Sequence, residues 1–238
     1  MNINTKIDTN KISFNCKGDV QEICSYSYIT LFVNANNSNL FQNGKSWKTA
    51  FSSLQDALDL AENLNNNVIF ILIAKGTYFP TKLYSPNGIT GGASNLNTIN
   101  LYTFNIPNNV HLFGSFSGRK CCRRDNRKND RKNSCGHRNL KCHPTILNGF
   151  NLYWHVVTCG NDVSQTGVTA SLDRLIITGG NAQGPNLPPS IILESFQYGH
   201  SYGGGIYIAF GSNIRLNNVV FKVNNAGNPG QNLTIGNG

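Results

Sequence analysis

Leu172–Asn181 reads LDRLIITGGN, and Leu216–Asn225 reads LNNVVFKVNN. Each stretch opens on a small polar start, runs through an alternating apolar strand and closes on a Gly or Asn turn. They lie 44 residues apart, a spacing that suits two coils of roughly 22 residues or one coil with an insertion. Outward from this pair the chain is mostly short strands broken by Gly, Pro and Asn. Tyr28–Val33, Val68–Ala74, Ile99–Ile106, Val110–Phe116, Thr145–Leu147, His155–Thr158, Val168–Thr178, Gly205–Phe210 and Ile214–Val223 carry the strand signal. Val68–Ala74 (VIFILIA) is a continuous apolar run, as expected of a strand buried on both faces or in a solenoid core. One helix interrupts the strands: Ser52 or Ser53 supplies an N-cap, and Leu54, Ala57, Leu58 and Ala61 recur at helical spacing before Asn63–Asn67 ends it. Many short strands with few tight hairpin turns predict an all-β chain, a parallel β-helix (solenoid). A β-sandwich is the architectural alternative. The expected organisation is an irregular segment over 1–26, with a short strand near Ile12–Phe14, and a β-helix over 27–238.

Composition sets the bounds. A chain of 238 residues makes one domain or two small ones. With 39% hydrophobic and 13% charged residues it is not a disordered chain. Its 24 glycines keep no three-residue period, which excludes collagen. No apolar run approaches the ~18 residues of a membrane span, and no secretory signal is visible in the first thirty residues. Asparagine is the most skewed residue, at 37 of 238. Either an AT-rich genome inflates it, or turns select it because Asn tolerates a left-handed backbone.

The net charge of +9 is concentrated in one place. Between Arg119 and Lys141 ten basic residues face only Asp125 and Asp130, so the rest of the chain is close to neutral. Arg123, Arg124, Arg127, Lys128, Arg131 and Lys132 are the candidate polyanion-binding residues, and an acidic polysaccharide or other polyanion is the expected partner. A solvated loop is the alternative. No aromatic residue interleaves the run, which disfavours single-stranded nucleic acid. The same insertion, at about 119–143, holds Cys121, Cys122, Cys135 and Cys142 beside His137 and His143. These are the candidate zinc ligands, but no regular Cys knuckle is present, and neither metal nor other cofactor is expected. Seven cysteines with no visible signal favour free thiols.

Carboxylates limit catalysis. Asp162, Asp173 and Glu194 are the acidic residues left for the strand region. Glycoside hydrolysis needs two carboxylates across a groove, and a calcium site needs several oxygen ligands. Asp162 with Asp173 is the one candidate acid pair, although Asp173 also reads as a turn or strand-start residue. His200 is a further catalytic candidate, and its neighbours Tyr198 and Tyr202 are candidates for stacking on sugar rings or for packing over a corner of the chain.

A family resemblance runs through these residues. Gly44-Lys45-Ser46-Trp47 with Leu54–Leu58, then Ile73–Thr81, Val110–Gly118, Pro144–Gly149, His155–Thr158 and Leu172–Ala182, resembles the pectin-lyase-like right-handed parallel β-helix proteins, including those with a choice-of-anchor region. Gly203-Gly204-Gly205-Ile206 followed by Phe221-Lys222-Val223-Asn224 resembles the paired GGxI and FxxN repeats of chlamydial polymorphic outer-membrane proteins. The resemblance covers roughly residues 28–226. It implies that the helix caps the open end of the solenoid, that Gly pairs turn the corners, and that the Asn of FxxN bonds a neighbouring coil. It also implies an extracellular, cell-surface or virion location. Family members carry a secretion signal and a C-terminal anchor, and neither pattern is visible in this sequence. A fragment or shortened chain is therefore expected, with its C-terminal solenoid edge open to self-assembly. Pectin-lyase-like folds host several chemistries. The leading expectation is a non-catalytic surface, adhesion or glycan-contacting protein. The alternatives are a polysaccharide lyase or glycoside hydrolase, and a structural component of a virus particle.

Overall fold

The computed structural model describes residues 10–13, 25–64, 67–84, 101–119, 138–161, 166–182 and 203–227. In chain order the strands are β1 (Asn10–Ser13), β2 (Ser25–Val33), β3 (Val68–Ala74), β4 (Gly76–Tyr78), β5 (Phe104–Ile106), β6 (Val110–Phe116), β7 (Thr145–Asn148), β8 (Val157–Cys159), β9 (Thr169–Asp173), β10 (Ile176–Thr178), β11 (Asn181–Ala182), β12 (Ile206–Ile208), β13 (Asn213–Asn217), β14 (Val220–Lys222) and β15 (Asn225–Ala226). Helix α1 (Leu54–Asn63) lies between β2 and β3. No helix among the described residues is long and apolar enough to cross a membrane.

The strands form sheets in the orders β1-β2-β3-β6-β9-β13, β14-β10-β7-β4, β12-β8-β5 and β11-β15. Every pairing is parallel except β1 with β2, which is antiparallel. The chain visits the sheets in rotation. From the six-stranded sheet it passes to the four-stranded sheet, then to the three-stranded one, and returns one strand further along: β3, β4, β5, then β6, β7, β8, then β9, β10, β12. The two stretches alike in rhythm are partners in this rotation. Leu172 pairs with Leu216, Ile176 with Val220 and Asn181 with Asn225. The 44-residue spacing therefore separates directly paired strands.

The corners explain why Val168–Thr178 and Ile214–Val223, each read as one strand, are split in two. Ser115, Arg174 and Asn218 hold φ of 67°, 55° and 52° at the same corner of successive circuits. A left-handed residue other than Gly costs on the order of 1–2 kcal/mol, and stacked bonds offset it. Ser115 Oγ donates to the Arg174 carbonyl at 3.1 Å, and the Arg174 N–H donates to the Asn217 carbonyl at 3.0 Å. At the next corner Asn224 ties two circuits together. Its Nδ2 donates to the Ile177 carbonyl and its Oδ1 accepts from the Gly180 N–H, both at 2.9 Å. Gly180 must stay Gly here, because a Cβ would run into the Gly204 carbonyl.

Alternation builds the core. Ile29, Ile69, Val110 and Ala170 stand in one register row, and Leu31, Ile71, Leu112 and Leu172 in the next. All are buried, at about 1.5–3 kcal/mol for each of the larger side chains. Leu147, Ile177, Phe104, Ile106 and Val157 complete the interior from the other sheets. VIFILIA is not buried on both faces: one face is buried, but Phe70 and Leu72 on the other are only half-buried. Helix α1 is capped by Ser53, whose Oγ accepts the Gln55 N–H at 3.1 Å. It turns Leu54, Ala57, Leu58 and Ala61 into the core. β2 starts at Ser25, earlier than expected, because β1 pairs with its outer edge from Asn10↔Tyr28 to Ser13↔Ser25. The short strand expected near Ile12–Phe14 is found at Asn10–Ser13, and the rest of the segment before Ser25 lies outside the described residues.

Candidate functional site

The outer face of the six-stranded sheet gathers the aromatic side chains that the core does not use. Period-two alternation aims Tyr28, Thr30 and Phe32 of β2 outward, and parallel pairing stacks them in rows. One row runs Thr30, Phe70, His111, Ser171, Arg215, and the next runs Phe32, Leu72, Phe113, Asp173, Asn217. Across β2, β3 and β6 this face is aromatic; across β9 and β13 it turns polar.

The rings touch one another. Tyr28 and Phe70 have centroids 5.2 Å apart, Phe70 and His111 5.5 Å, and Phe70 and Phe113 5.8 Å. The loop after β2 returns at Gly44, whose carbonyl accepts the Phe32 N–H at 2.8 Å. That loop sets Trp47 edge-on to Phe32 at 5.0 Å and beside Phe116 at 5.7 Å. Edge-to-face and tilted pairs of this kind add to the burial of each ring. All these rings remain half-buried, so one side of the platform stays open. His111 Nδ1 lies 2.8 Å from Ser171 Oγ. Burial pushes the His111 pKa down, which favours the neutral ring.

Both roots of the basic insertion meet this platform. On the way out, the Gly118 carbonyl accepts from Asn34 Nδ2 at 3.4 Å and Arg119 is exposed. On the way back, Arg138 lies over the Phe113 and Phe116 rings, 5.2 and 5.0 Å from their centroids. Its Nε donates to the Gly114 carbonyl at 2.7 Å, its Nη2 to the Asp173 carbonyl at 2.8 Å, and its Nη1 to the Asp173 carboxylate. Burial lowers the Arg138 pKa and its bond to Asp173 works against that shift. The guanidinium stays charged all the same.

Asp173 is therefore a structural anchor. It is 8% exposed. One carboxylate oxygen is tied to Arg138 with Arg174 at 3.7 Å, and the other accepts from Asn217 Nδ2 at 3.0 Å. Each carboxylate oxygen thus holds a hydrogen bond that ties it to Arg138 or to the neighbouring strand. Among the described residues the other acids, Asp56, Asp59 and Glu62, all lie on α1. Lys82 Nζ bridges Asp59 and Glu62 at 3.0 and 2.9 Å beside a small hollow lined also by Gln55, Tyr84 and Asn105. Those two bonds raise the Lys82 pKa, and the three side chains are about half exposed, so the pairs add little stability.

Of the residues singled out in the sequence, Asp173, Cys142 and His143 are described. Cys142 is an exposed free thiol, the His143 N–H donates to the Asn139 carbonyl at 2.8 Å, and the described residues hold no group of three or more metal-ligating side chains. Asp162, His200, Tyr198, Tyr202, Cys121, Cys122, Cys135, His137, Arg123, Arg124, Arg127, Lys128, Arg131 and Lys132 lie outside the described residues. Sequence reasoning missed Tyr28, Trp47, Phe70, His111 and Phe113. Their signal was legible in the alternation of His111, Phe113 and Thr30, Phe32, but an apolar neighbour strand made the whole region read as core. No protein-family model, curated protein or solved structure matches this chain, and the chemistry of the site rests on the geometry above.

Proposed function

We propose that this chain is a right-handed parallel β-helix of the pectin-lyase-like kind that contacts an acidic glycan without cleaving it. The rotation of the chain through successive sheets and the stacked left-handed corners support the solenoid. The observation that carries the function is the open aromatic platform flanked by both roots of a strongly basic insertion. Ring faces offer apolar area to the C–H faces of sugars. The cationic segment that joins those two roots in the chain offers charge to carboxylate or sulfate groups. The pairing of the Asp173 carboxylate with Arg138 and Asn217 counts against a hydrolase built on it.

Retention on immobilised heparin and polygalacturonate, with a neutral glucan as reference, tests the reading. Phe70→Ala should weaken retention on both acidic polymers at least about tenfold, as loss of an aromatic anchor does. Glutamine at Arg123, Arg124, Arg127 and Lys128 should flatten the salt dependence of binding. Equal retention of both variants and the parent protein would remove the proposal, as would the release of new chain ends from either polymer.

A further inference from the structure

The hollow beside α1 is rich in hydrogen-bond acceptors. Gln55, Leu58, Asp59 and Glu62 fall on one stripe of α1 and line it from the helix side, and Lys82 and Tyr84 close it. Gln55 is 4% exposed. Its Nε2 donates to Asp59 Oδ1 at 3.0 Å, and its Oε1 is buried with no partner. A stranded acceptor of this kind is destabilising until a donor reaches it. The donor nearest in chemistry is Lys82. Its Nζ bonds Asp59 Oδ1 and Glu62 Oε2, at 3.0 and 2.9 Å. An ammonium has three N–H groups to give, and Lys82 leaves the Gln55 oxygen unbonded. Two carboxylates and one amide oxygen thus offer three acceptors. Among the described residues no third acid joins them, which leaves a divalent metal ion short of ligands.

We propose that this hollow binds a primary ammonium group carried by a small amine, with Lys82 as its built-in competitor. Asp59 and Glu62 accept two N–H groups of the ligand, and Gln55 Oε1 accepts the third. Lys82 is tethered by its own backbone and satisfies only the first two. Leu58 and the Tyr84 ring flank the acceptors and offer apolar surface to the carbon chain behind the ammonium. The volume of the hollow, about 40 Å³, has room for a few water-sized groups, enough for the head group and short of a sugar ring. Charge favours the same ligand. Asp56 is exposed on the same helix and adds to a negative field in an otherwise basic chain. The site stands independently of the glycan proposal, since these carboxylates repel a polyanion.

Calorimetric titration of the full chain with n-butylammonium chloride tests this. Its N-trimethyl derivative is the matched cation with no N–H to donate. The expected dissociation constant for the primary amine is on the order of 1 mM, as suits a single small head group. The trimethyl cation should bind at least about tenfold more weakly, because it leaves all three acceptors unmade. Lys82→Met should tighten butylammonium binding at least about fivefold, since the competing ammonium no longer holds the site closed. Glu62→Gln, at an exposed position, should weaken it at least about fivefold. Gln55→Leu should narrow the preference for the primary over the trimethyl cation. Equal affinity for the two cations reduces the hollow to bare charge and overturns the proposal. So does Lys82→Met binding no tighter than the parent, or no heat from either protein at about 20 mM amine.

Discussion

The two ends of the stacked sheets carry the same inward side-chain phase and opposite fates. At the first, Leu54 and Leu58 of α1 are 1% exposed over a core that β1 also fences at the sheet edge. At the last, Leu216 and Phe221 stand where the circuit beneath buries Leu172 and Ile177 completely, yet more than 40% of each is exposed. The difference teaches that phase and burial have separate causes. Local alternation sets which way a side chain points. What lies beyond the strand sets whether it is buried. The largest expected break in the comparison follows. Leu58→Ala should cost about 2–5 kcal/mol, since it opens a cavity at a closed site. Leu216→Ala should cost under about 1 kcal/mol, because half-exposed positions lose little. Urea unfolding reads both, and equal costs would show that the last circuit is as well covered as the first.

A second contrast lies across the outer face, between its aromatic half and its polar half, and Arg138 joins them. It lies on Phe113 and Phe116 while it binds the carboxylate of Asp173. Both side chains are little exposed, at 12% and 11%. Removing one partner of a buried pair strands the other's charge. Arg138→Ala should therefore cost about 3 kcal/mol, at the lower end of what a fully buried pair loses. If Asp173 is an anchor, Asp173→Asn should also destabilise the fold, by a smaller amount, because the amide still accepts from Asn217. A variant at Asp173 with unchanged urea stability would instead reopen it as a residue kept for chemistry.

Much of the architecture was legible in residues that obey local rules. Ser53 before Leu54, Ala57, Leu58 and Ala61 marked the helix correctly, because capping and a 3.6-residue stripe are local. Val68–Ala74 and Val110–Phe116 were placed to the residue for the same reason. The breaks at Arg174 and Asn218 were not legible. Arg174 does not signal a left-handed corner, Asn218 is one asparagine among 37, and the bonds that stabilise the corner come from a neighbouring circuit, 44 residues away in the case of Asp173 with Asn217. The site was less legible still. Phe70 and Leu72 sit in an unbroken apolar run, so nothing in that strand separates an outward ring from an inward one. Asp173 looked like one of few available acids, and only the fold brings Arg138 to it from 35 residues away.

The smallest expected effect concerns pH and belongs to the platform. His111 belongs to the platform, between Phe70 and Ser171 in its row, and burial lowers its pKa from 6.5. Below that value the unfolded chain takes up a proton that the folded chain still resists. Stability should therefore be full above about pH 6.5, fall as the pH drops toward the lowered folded value, and level off once both states carry the proton. Urea midpoints taken from pH 7.5 to 5.0 on the parent and on His111→Gln isolate the term, because the other histidines contribute equally to both. The parent should lose more stability than the variant on acidification. Parallel curves would mean that the ring is as free to protonate in the folded chain as in water, and that the platform around it is open to solvent on both sides.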